Sequence, residues 1–197
     1  MADGVTILKY PHVKTLDAKE ALHEEAARYD RLGSHENLVT YKGNHADRPL
    51  FEYCERGSLR DMLDDGVELR DELRFRIGQQ IVRCLIRLHS QNFIHCDLNT
   101  SNVFLTADFT SKVGDLQGQL YRPDGSIEMP TMSHENAKSR QSWAGEDEFS
   151  IRTVMFTLGT RLYHLWHGEA PFPDLEEQTQ EGKCRIGVAM ATGRLIS

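Results

Sequence analysis

The apolar positions fall into two rhythms along the chain. Residues 5–9, Val5-Thr6-Ile7-Leu8-Lys9, form a short β-branched run that predicts a strand ending on a lone lysine. From residue 16 to 32 the spacing becomes helical, with Leu22, Ala26, Tyr29 and Gly33 on one stripe and Asp17 at the positive end of the helix dipole. Two more strands are predicted at residues 38–42 and 49–53, joined by the turn-rich Gly43-Asn44-His45-Ala46-Asp47. Helical spacing returns over residues 73–89 (Ile77, Ile81, Leu85, Leu88) and 149–167 (Ile151, Val154, Met155, Leu158, Leu162, Leu165). Residues 118–141 are polar and rich in Gly, Pro and Ser, which predicts a long mobile loop. The order is strand, helix, strand, strand, then helices. It implies an α+β fold, with a small sheet-and-helix part over residues 1–53 and a mainly helical part over 54–197.

Charge narrows the function. A net charge of −7, with neither Lys nor Arg clustered, argues against binding nucleic acid or an anionic membrane. Cys54, Cys84, Cys96 and Cys184 are far apart and include no Cys-x-x-Cys pair. That suits a reducing compartment and indicates neither a disulfide framework nor a zinc site. No apolar run approaches the ~18 residues of a membrane span, and no signal-peptide core opens the chain. The expectation is a soluble cytoplasmic protein without membrane insertion.

The candidate chemistry centres on Ile94-His95-Cys96-Asp97-Leu98-Asn99-Thr100-Ser101-Asn102-Val103-Phe104-Leu105, a polar cluster between two apolar runs. Asp97 and Asn102 lie five apart, so one loop can aim a carboxylate and an amide oxygen at one small volume. A second acid follows in Lys112-Val113-Gly114-Asp115. Phosphoryl transfer needs such a set: an acid to orient the attacking hydroxyl, and hard oxygen ligands for magnesium. The bland alternatives are a polar turn with a capping Asp, a strand lysine meeting water at Lys9, and a solvated acid at Glu25.

The order His-x-Asp, Asn, then Asp resembles the catalytic loop and metal-binding Asp of eukaryotic protein kinases. Val-Thr-Ile-Leu-Lys looks like the kinase strand whose lysine grips the nucleotide phosphates and is held by a helix glutamate. Counting back from Arg31-Leu32-Gly33-Ser34-His35-Glu36-Asn37-Leu38-Val39 selects Glu25 as that partner, with Glu24 as the alternative. Leu50-Phe51-Glu52-Tyr53-Cys54-Glu55-Arg56-Gly57-Ser58-Leu59 resembles the hinge. The match makes Phe51 the gatekeeper and gives adenine contacts to the backbone of Glu52 and Cys54, with Ser58 capping the next helix. Phe104 joins the cofactor-binding set. Asp97 is the implied catalytic acid, Asn102 and Asp115 the metal ligands, and ATP and Mg2+ the cofactors. Ser133-His134-Glu135 sits where an Ala-Pro-Glu motif would be. Met155-Phe156-Thr157-Leu158-Gly159, followed by Gly168-Glu169-Ala170-Pro171-Phe172, resembles the central helix of the larger kinase lobe and its following loop.

The departures shape the expected activity. Eight residues precede Lys9, too few for a Gly-rich loop, and the chain stops at Ser197, so the expectation is a two-lobe kinase shortened at both ends. Asn99 stands where the family has a catalytic lysine, and losing such an aligned charge costs about 100- to 1,000-fold in rate. Cys96 replaces the arginine that anchors a phosphorylated segment. Gln117 replaces the Gly after Asp115-Leu116, with Gly118 next, and Val154 falls where an Asp braces the catalytic loop. Three functions are compatible: an impaired kinase of protein hydroxyls, an inactive interaction module with a protein partner, and a small-molecule phosphotransferase of the aminoglycoside-kinase type. The hinge and the Leu158-Gly159 to Pro171-Phe172 stretch argue against the last. Shortening also implies exposed apolar residues on the last helix, Met155, Leu158, Leu162 and Trp166 among them.

Overall fold

A computed structural model of the protein describes residues 5–11, 16–131, 149–169 and 171. The Asp17 side chain, the Ser133-His134-Glu135 motif, Ala170, Phe172 and Cys184 lie outside the described residues.

The first part is an antiparallel sheet of β1 (Thr6–Leu8), β2 (Tyr41–His45) and β3 (Arg48–Glu52), in the order β1-β3-β2, with helix α1 (Leu16–Leu32) against it. Thr6 pairs with Glu52 and Leu8 with Leu50. On α1 the predicted stripe is buried at Leu22, Ala26 and Tyr29, and Leu32 continues it. Gly33 does not join the stripe. It adopts the left-handed φ of +70° that glycine reaches without strain, and its N–H bonds the Tyr29 carbonyl to end the helix. Tyr29 and Tyr41 meet Phe51 at ring-centroid distances of 5.0 and 5.7 Å, which ties helix and sheet into one core. β2 begins three residues after its expected start at 38, and β3 one residue before its expected start at 49. Ala46 and Asp47, both with positive φ, make a tight two-residue turn where a longer connection was expected.

Beyond β3 the chain turns into α2 (Leu59–Asp64), opened by a reciprocal cap between Ser58 and Asp61. Helix α3 (Asp71–His89) buries Ile77, Ile81, Leu85 and Leu88 as its spacing requires. It crosses α4 (Ile151–His167) closely at Gly78, where a Cβ would stand 3.0 Å from Leu162. On α4, Leu158 and Leu165 are buried, whereas Met155 and Trp166 are exposed. Strands β5 (Val103–Leu105) and β6 (Ser111–Val113) form a separate two-stranded sheet. The expected long loop is corrected over residues 119–129. Here β7 (Gln119–Tyr121) and β8 (Ile127–Met129) form a hairpin, and β7 pairs with β4 (Phe93–Ile94). Pro123-Asp124-Gly125-Ser126 supplies hairpin-turn chemistry, with Asp124 accepting from the Ser126 N–H at 2.9 Å, and fully buried Leu120 anchors the strand. Among the described residues no helix is long and apolar enough to cross a membrane.

Candidate active site

Lys9 follows the end of β1, and its ammonium reaches two carboxylates at once. Nζ lies 2.7 Å from Glu25 Oε2 and 2.5 Å from Asp115 Oδ1. Glu25, not Glu24, makes this contact; Glu24 is half exposed and pairs with Arg28. Burial alone would lower the Lys9 pKa, but the charges of Glu25 and Asp115 outweigh it and hold the ammonium above its usual range. For Glu25 burial dominates and pushes the carboxyl upward, partly offset by Lys9 and by the Leu116 backbone N–H. Asp115 takes a left-handed φ of 60°, and Gln117 donates to its Oδ1 at 3.1 Å.

The loop after β4 aims its polar groups by mutual hydrogen bonding. Asn99 Oδ1 accepts from the Ser101 and Asn102 N–H groups at 2.8 and 3.1 Å and caps the 3-10 turn Thr100–Asn102. The other end of the same amide donates to Asp97 Oδ1 at 3.0 Å. Asn102 donates to the Asp97 carbonyl at 2.9 Å and to its carboxylate at 3.3 Å, bonds that leave its amide oxygen unused. His95, fully buried, bonds the Gly114 carbonyl at 3.0 Å, and the Gly114 N–H donates to the Asn102 carbonyl at 2.8 Å. These bonds join the Asp97 loop to the Asp115 loop.

Between the two parts lies a pocket of about 390 Å³, lined by Ile7, Lys9, Glu25, Phe51, Glu52, Cys54, Phe104, Asn102 and Asp115 among others. That volume and its mainly apolar wall suit a small ligand. Asp97 and Asn99 stand beside this wall, joined to it through Asn102. At the hinge the Glu52 N–H bonds Thr40 O and the Cys54 carbonyl accepts from the Gly57 N–H. Phe51 is buried in its aromatic cluster. Burial pushes the Cys54 thiol up to about 11. Asn102 and Asp115 offer an amide oxygen and a carboxylate to the same cavity. This hard-oxygen pair fits magnesium, which keeps several waters and binds phosphate oxygens.

Three functional contacts escaped the sequence reading. Lys112 pairs with Glu52 at 2.7 Å behind the hinge. Arg161, nearly buried on α4, donates from Nε to the Leu98 carbonyl of the Asp97 loop at 3.0 Å, while Val154 is plain core. Arg28, one turn beyond Glu25, is wholly buried. A basic residue inside an amphipathic helix ordinarily signals solvent, so only the facing loops could have revealed Arg28 and Arg161, and Lys112 on β6 meets a carboxylate far away in sequence.

Over residues 4–193 the chain matches the family model described as protein tyrosine and serine/threonine kinase. The chain belongs to the protein kinase family, and its fold is the α+β kinase fold. It is 27% identical over 174 residues to a probable cell cycle serine/threonine-protein kinase CDC5 homolog of Encephalitozoon cuniculi, covering 86% of this chain and 37% of that protein. Mitogen-activated protein kinase kinase kinase 12 of Rattus norvegicus is 25% identical over 89% of this chain and 20% of its own length. The inactive serine/threonine-protein kinase PLK5 of Mus musculus is 30% identical over 77% of this chain and 26% of its own length. The chain thus spans well under half the length of these relatives.

Proposed function

We propose that this domain binds ATP with magnesium in the 390 Å³ pocket and transfers the γ-phosphoryl group slowly to a protein hydroxyl. The observation that carries the reading is the meeting of Lys9 with both Glu25 and Asp115 on the wall that Asn102 also lines. In this reading residues 1–53 act as the upper lobe and 54–197 as the lower, with the nucleotide between them in a cytoplasmic setting. The Glu52 carbonyl and Cys54 N–H, the hinge groups not used in the contacts above, hold the adenine, and Phe104 lies against its face. Lys9, kept in place by Glu25, pairs with the α- and β-phosphates. Asn102 and Asp115 hold magnesium, which supplies charge neutralisation at the phosphates. Asp97, its carboxylate fixed by two amides, orients the attacking hydroxyl and accepts its proton.

Asn99 sets the rate. It brings a hydrogen bond to Asp97 but no positive charge for the moving phosphoryl group, which costs about 100- to 1,000-fold. The same observation supports a second reading, an inactive interaction module; the mouse relative PLK5 is itself an inactive serine/threonine-protein kinase.

The test is thermal unfolding of the full chain with millimolar ATP, with and without magnesium, beside phosphate transfer to dephosphorylated casein. The expected result is a magnesium-dependent rise in midpoint that Asp115→Asn abolishes, with slow transfer lost in Asp97→Asn. Absence of any magnesium-dependent shift overturns nucleotide binding. A shift without transfer selects the inactive module.

A further inference from the structure

Helix α1 sends a second charged side chain inward from Arg28. A buried guanidinium is costly unless its donors are met, and these are met by backbone. Nε donates to the Gly118 carbonyl at 3.0 Å and a terminal nitrogen to the Pro130 carbonyl at 2.6 Å. Half-exposed Glu24 supplies a counter-charge at 3.3 Å. Gly118 and Pro130 flank the β7–β8 hairpin, so one planar cation fastens both ends of the segment after Asp115 to α1. Gly118 has no room to retreat, since a Cβ there would stand 2.1 Å from the Ile94 carbonyl oxygen. Thr131 Oγ1 donates to the Gln117 carbonyl at 3.0 Å and closes the base of the hairpin.

These contacts complete a circuit. Lys9 joins Glu25, one turn of α1 leads to Arg28, Arg28 holds Gly118, and the backbone returns through Leu116 to Asp115 and Lys9. We propose that Arg28 is a positioning residue: a latch, independent of phosphorylation, that keeps Glu25 and Asp115 in register. The assignment rests on the nucleotide-site reading of Lys9, Glu25 and Asp115. Outward rotation of α1 withdraws Arg28 from Gly118 and Glu25 from Lys9 together, so helix position and metal-loop order form one equilibrium. Segment anchoring therefore comes from α1 and acts on carbonyls, whereas the loop position that would carry an anchoring arginine holds Cys96.

The experiment uses the full chain, with Arg28→Met, Arg28→Lys and, as a surface control at an exposed position of α1, Glu20→Gln. Amide exchange is followed over residues 16–32 and 115–131 without nucleotide, and ADP affinity is measured with and without magnesium. Arg28→Met should lower protection of both segments by about tenfold and weaken magnesium-dependent ADP binding by about tenfold, with magnesium-free affinity held within about twofold. Arg28→Lys, able to reach one carbonyl, should recover part of both, and Glu20→Gln should change little. A parallel fall of both affinities, tracking stability alone, overturns the proposal. Where Arg28→Met does not fold, wild-type exchange under rising denaturant decides. A single opening free energy shared by the two segments supports the latch, and separate openings refute it. A wild type that binds no magnesium-nucleotide refutes the functional reading, and the exchange arm then judges the latch by itself.

Discussion

Arg161 Nε donates to the Leu98 carbonyl at 3.0 Å from a buried place on α4, two turns beyond Val154. The larger helical part therefore grips the Asp97 loop through a cation and a carbonyl. Removing that donor leaves a buried carbonyl unmet. Arg161→Met should cost about 1–3 kcal/mol, read as a lower midpoint in urea unfolding. Transfer activity should fall further than the lost stability explains, because Leu98 adjoins Asp97. An unchanged midpoint would show the contact to be incidental.

Glu25 gives a pH prediction. Burial holds its carboxyl above the ordinary value of 4.5 despite Lys9. Between the unfolded and the raised folded pKa the native state binds more protons, so for this group stability rises as pH falls through that window. The functional pair with Lys9 is lost over the same window. Magnesium-nucleotide affinity should thus decline on acidification before the fold weakens. Glu25→Gln should leave the unfolding midpoint equal or higher, because Lys9 keeps Asp115, and should flatten this pH dependence. A large loss of stability in Glu25→Gln would contradict the burial argument.

Cys54 tests the pocket wall by chemistry. With its thiol near 11, only about one part in a thousand is thiolate at about pH 8, so alkylation by iodoacetamide should be slow. A saturating adenine nucleotide should slow it further. Rapid, nucleotide-insensitive labelling would place Cys54 away from the bound base.

Gly118→Ala probes the seam between β4 and the segment after Asp115. The added methyl would fall 2.1 Å from Ile94 O and 2.6 Å from His95 O, neither of which belongs to a side chain that can swing away. Backbone displacement of this kind costs about 1–3 kcal/mol. The measurable outcome is a lower unfolding midpoint together with loss of magnesium-dependent nucleotide binding. A wild-type-like midpoint would mean that the seam is loose.

The sequence made the helices legible because α1, α3 and α4 bury stripes at a single helical period. It made the charged site legible because Lys9, Asp97, Asn102 and Asp115 each stand at the edge of a short apolar run. The β7–β8 hairpin was missed because its strands are three residues each, and Pro, Asp, Gly and Ser between them read equally as a loop. Arg28 and Arg161 were missed for a different reason. The contacts that bury them include main-chain carbonyls remote in sequence, and a carbonyl has no letter in the sequence to mark it.

The neutrality of Asn99 has a consequence for the order of arrival at the site. Around the pocket, among the described residues, stand the carboxylates of Glu25, Asp97 and Asp115 against the ammonium of Lys9, since Lys112 is already matched by Glu52. The resting cleft is an electronegative basin. A polyanion approaching alone meets net repulsion, while a divalent cation, or a nucleotide already carrying one, is drawn inward. The cation is therefore the leading or the accompanying traveller, never the follower. Added salt should ease the entry of free nucleotide while weakening the capture of the cation, so the two salt dependences should carry opposite signs.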